Sequence, residues 1–347
     1  MAQQRERTDG DVKKITIIGA GSFGTALSVV LARAGNAVQL WAREPEIANG
    51  INSAHQNPAY LTDIVLPESV KCYTDLEKCL HNRDVVVFAI PSHAVREVAG
   101  KTLPFLSGEE IVVNVAKGIE NDTFMTMSQV LVETLAEKVI EDRIGVLHGP
   151  SHAEEVGKFR PTAIVSCSYS KRTARMIQKI FMTPMFRVYL NYDMVGVEIG
   201  GAVKNIMAIA AGIVDGADLG DNAQAALITR GLHEMKRLGM HLGASQDTFA
   251  GLTGMGDLVV TCTSRHSRNR YVGYHIGKGK SIEEITAGMN MIAEGVRTTK
   301  SVYEWSRKLN VEMPITDAVH HVLFEGEEPK DMVYELMTRN PKEEILI

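Results

Sequence analysis

The sequence has few cysteines and no excess of positive charge. Its four cysteines, Cys72, Cys79, Cys167 and Cys262, are scattered over 347 residues and form no C-x-x-C pair. This spacing argues against a disulfide framework or a zinc ribbon, and it predicts reduced thiols in a cytoplasmic protein. The formal net charge of −5 argues against non-specific nucleic-acid binding, which requires a basic surface.

Long apolar runs are also scarce, and one segment alone resembles a membrane span. It covers Met194–Ile213 and contains Glu198, Lys204 and four glycines. Because two charges near the middle of a span cost several kcal/mol in lipid, we predict a buried core helix and no stable membrane insertion. The N-terminal segment Met1–Val12 is polar, so we expect a flexible extension there and not a secretory signal.

Short apolar runs alternate with helical patterns in the first half of the chain. Runs rich in β-branched residues suit the interior of a parallel sheet, where both faces are covered. Alternation of strands and helices implies βαβ units and an α/β fold with a doubly wound sheet. The predicted strands are Lys14–Gly19, Ala37–Trp41, Asp84–Ile90, Ile111–Val115, Arg143–Leu147, Thr162–Ser166 and Arg187–Leu190.

Helical periodicity replaces this alternation from about Tyr192 onwards. We therefore expect a flexible extension over residues 1–12, a Rossmann-type domain over 13–191 and an all-helical domain over 192–347. The predicted helices of the last part are Met194–Val214, Asn222–Leu242, Arg268–Gly277, Ile282–Met289, Glu294–Leu309 and Ile315–Leu323.

The stretch Gly19–Gly24 has the pattern G-x-G-x-x-G. The pattern alone is weak, but here it directly follows a predicted strand and opens a predicted helix. In such turns the first glycine permits the tight bend, the second admits a pyrophosphate, and the third lets helix and strand pack closely. The helix N-terminus then offers N–H groups to the phosphates. We predict a nicotinamide dinucleotide here; the alternative is a glycine-rich turn without a ligand.

The end of the second predicted strand bears on the choice of cofactor. An NAD site usually has an acidic residue there, hydrogen-bonded to the ribose 2′-hydroxyl. This chain has Arg43, which favours the 2′-phosphate of NADP(H) while tolerating NAD(H). Alternatively, the adjacent Glu44 neutralises Arg43, and the arginine is a solvated surface residue.

Lys204 interrupts an otherwise apolar helical pattern. A buried ammonium group needs a partner, and Glu198 lies about 240° around the helix, on a different face. Gly200 and Gly201, one turn earlier, suggest that something approaches the backbone closely. Spacing leaves two interpretations open: a catalytic lysine that gives or accepts a proton, and a lysine that reaches the surface where helices cross.

A glycine-rich stretch, Gly251–Asp257, predicts a non-helical break among the helices. It leads to Arg265, Arg268 and Arg270, with hydroxyl and amide side chains between them. Such a set suits a phosphate group, especially if Ser267 caps the helix that starts at Arg268. The alternative is a solvated basic loop.

Two histidine pairs look like metal ligands at first. Gly149 and Pro150 exclude a regular helix between His148 and His152. The neighbours His320 and His321 lie on an amphipathic helix, where adjacent side chains diverge. We therefore expect no metal site.

Taken together, the sequence resembles the bacterial NAD(P)-dependent glycerol-3-phosphate dehydrogenases from about Lys14 to about Lys330. Several separated motifs carry the resemblance, and in combination they are highly specific. They are GAGSFGTA at 19–26, Ala116-Lys117-Gly118, Gly149-Pro150-Ser151, Gly201-Ala-Val-Lys204-Asn205, Gly254-Met-Gly-Asp257-Leu, Ser267-Arg268-Asn269-Arg270 and Glu294-Gly295.

The resemblance implies a two-domain fold like that of 6-phosphogluconate dehydrogenase and a homodimer. It implies reversible reduction of dihydroxyacetone phosphate to sn-glycerol 3-phosphate for phospholipid synthesis, with Lys204 as proton donor and acceptor. By motif match, the substrate contacts would be Lys117, Gly149, Ser151, Lys204, Asp257, Ser267, Arg268 and Asn269. The cofactor contacts would be Gly19, Gly21, Ser22, Phe23, Gly24, Arg43, Lys117, Ala153, Arg268 and Glu294.

Two other functions fit parts of the pattern. A β-hydroxyacid dehydrogenase of the same two-domain build would prefer a carboxylate substrate. A protein that senses NAD(P)H without chemistry would need neither Lys204 nor the arginines around Arg268. Those residues therefore favour the triose-phosphate reductase.

Overall fold

An eight-stranded sheet forms the first half of the protein in the computed structural model, which describes residues 12–287, 293–341 and 343–344. The strand order is β3-β2-β1-β4-β5-β6-β7-β8, and β6 and β7 are the antiparallel pair in a sheet whose other pairs are parallel. The strands are β1 (Lys14–Ile18), β2 (Ala37–Trp41), β3 (Lys71–Tyr73), β4 (Val85–Phe88), β5 (Ile111–Asn114), β6 (Ile144–His148), β7 (Thr162–Ser168) and β8 (Phe186–Asn191).

Helices cover this sheet on both faces, as its continuous apolar strands require. Two separate clusters of buried apolar side chains, one on each face, form its core. The helices of this half are α1 (Ser22–Arg33), α2 (Pro45–Ala54), α3 (Leu76–Leu80), α4 (Val95–Thr102), α5 (Met127–Leu135), α6 (Ala153–Gly157) and α7 (Lys171–Phe181).

The described residues that follow the sheet are helical, which confirms the predicted fold class. The helices are α8 (Met194–Gly216), α9 (Asp221–His241), α10 (Gln246–Phe249), α11 (Asp257–Thr263), α12 (Arg268–Gly277), α13 (Ile282–Ala287), α14 (Glu294–Leu309), α15 (Pro314–His320) and α16 (Pro329–Thr338). Two short π-helical segments, Leu252–Gly256 and His321–Glu325, lie directly before α11 and after α15.

Helix α8 is the centre of the helical half. Among the described helices it is the one long and apolar enough to cross a membrane, yet the protein buries its apolar window completely. The predicted core helix is therefore confirmed. Glycines allow α12 to approach α8 closely: a Cβ on Gly212 would lie 2.1 Å from the Arg270 carbonyl oxygen, and one on Gly273 would lie 1.9 Å from that of Ile209.

Two local features differ from the predictions, and two predictions extend beyond the described residues. Strand β3 was not predicted, because three residues are too few to show a period. The stretch Gly251–Asp257 is not a non-helical break, since it forms a π-helical turn that continues into α11. The helix predicted over Ile282–Met289 is described as far as Ala287, and positions 288 and 289 lie outside the described residues. So do positions 1–11 of the predicted extension.

Candidate active site

The glycine turn lies between β1 and β4, where the strand order of the sheet reverses. Ligands of open α/β sheets bind at this switch point. Gly19 has a φ of +113°, and a Cβ there would lie 2.4 Å from the Ala89 carbonyl oxygen beyond β4. A Cβ on Gly24 would lie 2.0 Å from the Gly19 carbonyl oxygen. The first and third glycines are therefore required by the packing of the chain itself.

Gly21 differs from both, because a Cβ on it would meet nothing within 4 Å. It is the N-cap of α1, no side chain caps that helix, and its first turn has no acidic residue. Open space, an uncapped helix N-terminus and the switch point together fit a dinucleotide pyrophosphate. Ser22 and Phe23 form the first turn of α1, as the motif requires.

Arg43 follows β2 at the surface. Its guanidinium is 2.6 Å from the Glu44 carboxylate, and its side chain is 83% exposed. This is the geometry of the alternative interpretation, in which Glu44 neutralises the arginine. The exposed ion pair is weak, so it does not fix the position of Arg43 strongly.

Three ionisable side chains, two from the helical half and one from the sheet half, form a buried hydrogen-bonded group. Asp257 is buried and accepts from Lys117 Nζ at 2.6 Å and from Lys204 Nζ at 3.0 Å, one lysine on each carboxylate oxygen. Lys204 Nζ also donates to Thr261 Oγ1 at 2.7 Å. Lys204 is 5% exposed, so it is not a lysine that reaches the surface.

Two glycines of α8 explain how this charged group is assembled. A Cβ on Gly200 would lie 2.5 Å from the Thr253 carbonyl oxygen, so the π-helical segment packs directly on α8. This contact places Asp257, the first residue of α11, beside Lys204 one turn further along α8. Gly201 makes a similar space for the His148 ring, to which a Cβ would approach within 2.9 Å. The close approach predicted at these glycines is made by the protein itself.

Lys117 and the loop after β6 come from the sheet half. Lys117 Nζ donates to the Gly149 carbonyl oxygen at 2.9 Å, and Ser151 Oγ donates to the same oxygen at 3.0 Å. Gly149 has a φ of +144°, which favours glycine. Predicted substrate residues from both halves, Lys117, Gly149, Ser151, Lys204 and Asp257, thus lie within one connected group.

Burial and charge tune this group in opposite directions. Burial, together with the charge of Lys117, lowers the pKa of Lys204 from 10.5 to about 8 against the opposing effect of Asp257. Burial alone would raise the pKa of Asp257, but the two ammonium groups outweigh it and lower that pKa. Asp257 is therefore ionised, and Lys204 is poised to exchange a proton near neutral pH.

Thr261, His148 and His152 also lie at this site, although the sequence analysis did not predict Thr261 as a site residue and considered the two histidines only as metal ligands. Thr261 donates to the Asp257 carbonyl oxygen at 2.6 Å, one helical turn away, so its spacing was the available signal. The His148 ring lies between the Ala116 and Val197 carbonyl oxygens, and burial lowers its pKa to about 4. Burial, followed by the charge of Lys204, also lowers the pKa of His152.

The predicted phosphate-binding segment divides into separate roles. Ser267 caps α12 by accepting from the Arg270 N–H at 3.2 Å, as predicted. Asn269 Oδ1 accepts from the Gly295 N–H at 2.9 Å and so links α12 to α14. Arg268 is exposed in the first turn of α12. Arg270, in contrast, pairs with Asp215.

Glu294 connects the two halves at the start of α14. Its carboxylate accepts from the Ser92 N–H at 3.0 Å and from the Ser92 hydroxyl. Ser92 in turn packs on Gly118, where a Cβ would lie 2.6 Å from its side chain. Ala153 begins α6 after the loop that contains Gly149. The Glu294–Ser92 hydrogen bonds thus link the start of α14 to the sheet half of the protein.

A glycine turn at the switch point of a doubly wound sheet, together with a buried lysine–carboxylate group in the helical half, defines an oxidoreductase that uses a nicotinamide dinucleotide. Family models identify the chain more closely. The model for the N-terminus of NAD-dependent glycerol-3-phosphate dehydrogenase matches residues 14–174, and that for its C-terminus matches residues 193–334. The chain belongs to this family of NAD(P)-dependent glycerol-3-phosphate dehydrogenases.

Curated relatives agree over nearly the whole chain. A glycerol-3-phosphate dehydrogenase [NAD(P)+] of Salinibacter ruber is 54% identical over 96% of this chain and 97% of its own length. The enzyme of that name from Bacillus subtilis is 48% identical, over 96% of each chain.

Comparison with solved structures distinguishes members of the same family from proteins that share only the fold. Glycerol-3-phosphate dehydrogenase from Coxiella burnetii superposes with a TM-score of 0.90 at 39% identity, covering 94% of this chain and 99% of that one. A ketopantoate reductase from Ralstonia eutropha reaches 0.56 at 15% identity, covering 92% and 99%. The second likeness concerns the fold alone, so the two-domain build by itself does not select a substrate.

Proposed function

We propose that the protein reversibly reduces dihydroxyacetone phosphate to sn-glycerol 3-phosphate, with NADPH or NADH as hydride donor and Lys204 as proton donor. The observation that carries this proposal is the position of Lys204, buried in an apolar helix and hydrogen-bonded to both Asp257 and Thr261. Membership of the family supports the substrate and the cofactor.

Lys204 supplies the proton in the reductive direction. Negative charge develops on the carbonyl oxygen of the substrate as the carbonyl carbon is reduced, and the Lys204 ammonium stabilises that charge and then donates a proton. Asp257 holds the ammonium in place, and Thr261 accepts a second hydrogen bond from it. Loss of the proton leaves a neutral amine, which the lowered pKa of Lys204 makes accessible.

The glycine turn would hold the pyrophosphate of the cofactor at Gly21. The nicotinamide of the bound cofactor would supply the hydride. Gly19 and Gly24 keep the turn tight, and Ser22 and Phe23 present the start of α1. Arg43, Lys117, Ala153, Arg268 and Glu294 are the further cofactor contacts that we propose.

The phosphorylated ketone would be held between the two halves of the protein. Lys117 and Lys204 provide positive charge on one side, and Arg268 provides it at the start of α12. Gly149, Ser151, Asp257, Ser267 and Asn269 complete the proposed substrate site. No proposed step requires a metal ion.

The test of this role is Lys204→Met, with Lys101→Met as a matched control on an exposed lysine. We expect Lys204→Met to bind NADPH normally and to lose dihydroxyacetone phosphate reduction by about 10²–10⁴-fold, as for loss of a general acid. Lys101→Met should keep full activity. Reduction at the wild-type rate by Lys204→Met would overturn the assignment.

A substrate comparison tests the alternative functions. Steady-state rates with dihydroxyacetone phosphate and with several 2- and 3-oxoacids, each with NADPH and NADH, distinguish a triose-phosphate reductase from a β-hydroxyacid dehydrogenase. Turnover with any substrate excludes a non-catalytic NAD(P)H sensor. Preference for an oxoacid would contradict the proposed substrate.

We also propose a cytoplasmic homodimer that supplies glycerol 3-phosphate for phospholipid synthesis. Four buried free cysteines are in keeping with a reducing compartment. Sedimentation equilibrium measures the assembly directly, and a monomer over the whole concentration range would contradict it.

A further inference from the structure

A cluster of two histidines and one glutamate lies at the end of α15, on residues that the proposed reaction does not use. His320 Nδ1 is 3.3 Å from Glu325 Oε1, and His321 Nε2 is 3.9 Å from the same oxygen. The three ligand atoms all lie within 4.8 Å of one another. The sequence-based expectation that the two imidazoles diverge is therefore wrong.

The π-helical segment explains this convergence. Residues five apart lie about 140° from each other around an α-helix, so His320 and Glu325 would point to different faces. Helix α15 ends at His320, and the wider turn over His321–Glu325 brings Glu325 back beneath it. Gly326, with a φ of +75°, then ends the segment. Single π-helical turns occur frequently at functional sites.

The His320 ring is held rigidly before any ligand arrives. It stacks on Tyr303 of α14, with ring centroids 3.6 Å apart and an interplanar angle of 7°. Its Nδ1 atom is buried and makes no hydrogen bond to the described residues, despite the nearby Glu325 oxygen. A buried ring nitrogen without a hydrogen bond usually has an explanation, and an ion is one of them.

We propose that His320, His321 and Glu325 form a binding site for a late first-row divalent cation of the zinc class. Two imidazoles and one carboxylate are the donors that Zn²⁺, Co²⁺ and Ni²⁺ accept, whereas Mg²⁺ and Ca²⁺ prefer oxygen alone. Three protein ligands leave further positions for water.

Charged groups of both signs surround the cluster. Glu304 adds a second negative charge beside that of Glu325, while Arg307 opposes a cation. Arg307 lies over the Tyr303 ring, 4.4 Å from its centre.

A bound cation would tie the end of α15 to the turn that follows it. It would stabilise the native protein in proportion to the logarithm of the free metal concentration once the site is saturated. This inference is independent of the proposed reaction, so either can fail without the other.

The experiment uses the full chain, treated with a chelator and then desalted. Titration with Co²⁺, followed by its visible d–d absorption, should show one site per chain that Zn²⁺ displaces. His320→Phe keeps an aromatic ring on Tyr303 but removes the donor, and Glu325→Gln removes the charge. Each should weaken Co²⁺ binding by at least about tenfold, since even outer-shell partners contribute that much.

The matched control is His275→Phe, which alters a histidine packed between Tyr271 and Tyr274 elsewhere on the surface. It should leave Co²⁺ binding unchanged. If His320→Phe failed to fold, His321→Ala on the more exposed imidazole would serve in its place. Equal Co²⁺ binding by the wild type and the folded variants, or no saturable absorption in the wild type, would overturn the proposal.

Discussion

The glycine turn and the lysine–carboxylate group are built in opposite ways. The turn is made of main chain; its shape depends on the absence of a side chain at Gly19 and Gly24, and Gly21 leaves its outer side open. The charged group is made of side chains, and it is stable because one carboxylate faces two ammonium groups. A turn of the first kind fails when an atom is added, while a group of the second kind fails when a charge is removed.

The largest effect should come from removing that charge with Asp257→Asn. The neutral amide leaves two neighbouring ammonium groups without a counter-charge, which lowers the pKa of Lys204 further and displaces it. We expect kcat to fall by about 10²–10⁴-fold and stability to fall by about 3–5 kcal/mol, as for other broken buried pairs. Steady-state kinetics and denaturant unfolding measure the two effects.

Asp63→Asn is the matched control, because Asp63 pairs with Lys158 at the exposed surface. Its stability should change by no more than about 0.5 kcal/mol, with kcat unaffected. A wild-type kcat in Asp257→Asn would show that Lys204 needs no counter-charge. The charged group would then not depend on its carboxylate, which contradicts the contrast drawn with the glycine turn.

The glycine turn offers its own matched pair, Gly24→Ala and Gly21→Ala. A Cβ on Gly24 meets main chain at 2.0 Å, so we expect a loss of about 1–3 kcal/mol of stability from overpacking. A Cβ on Gly21 meets nothing within 4 Å, so that variant should fold normally yet bind NADPH more weakly. Thermal unfolding and NADPH fluorescence titration separate the two. If Gly21→Ala bound NADPH as tightly as the wild type, the proposed position of the pyrophosphate at Gly21 would be wrong.

The two regions also differ in how much of them the sequence predicts. The glycine turn is contiguous, and the strand before it and the helix after it are strongly periodic, so its place was predictable. Lys204 stood out as a polar residue in an apolar helix. Its partner did not, because pairing between Lys204 and Asp257 depends on how a π-helical segment packs against Gly200. Periodicity carries no information about such long-range contacts.

A short strand and a long-range pairing could not be predicted from the sequence for related reasons. Strand β3 has three residues and derives its stability from pairing with β2 and not from a local pattern. Glu198 gave no sign of its partners, Thr126 and Ser128, which lie about 70 residues away at the start of α5. What the sequence did predict there is that Glu198 does not pair with Lys204.

The pH dependence of catalysis tests the tuning of the charged group. Lys204 is protonated below its pKa of about 8, so dihydroxyacetone phosphate reduction, which uses the ammonium, should decline as pH rises through 8. Oxidation of glycerol 3-phosphate uses the neutral amine and should increase over the same range. Profiles of kcat/KM against pH in both directions measure this.

Thr261→Val sharpens the same test. The threonine hydroxyl accepts a hydrogen bond from Lys204 Nζ at 2.7 Å, which favours the charged form. Its removal should shift the pH profiles of both reduction and oxidation to lower pH. If Thr261 had a merely structural role, both profiles would stay in place. Flat profiles across pH 8 in the wild type would contradict the proposed proton donor.

The smallest effect should come from Arg43, which belongs to the cofactor half but acts through charge. Its pairing with Glu44 is exposed and weak, so a 2′-phosphate can compete for the guanidinium. Arg43→Ala should raise the KM for NADPH by about 2–5-fold, the range of one exposed ion pair, and leave that for NADH unchanged. Glu44→Gln, which frees the guanidinium, should have the opposite effect and lower the KM for NADPH relative to the KM for NADH. Equal effects of Arg43→Ala on both cofactors would place the arginine outside the recognition of the 2′ position.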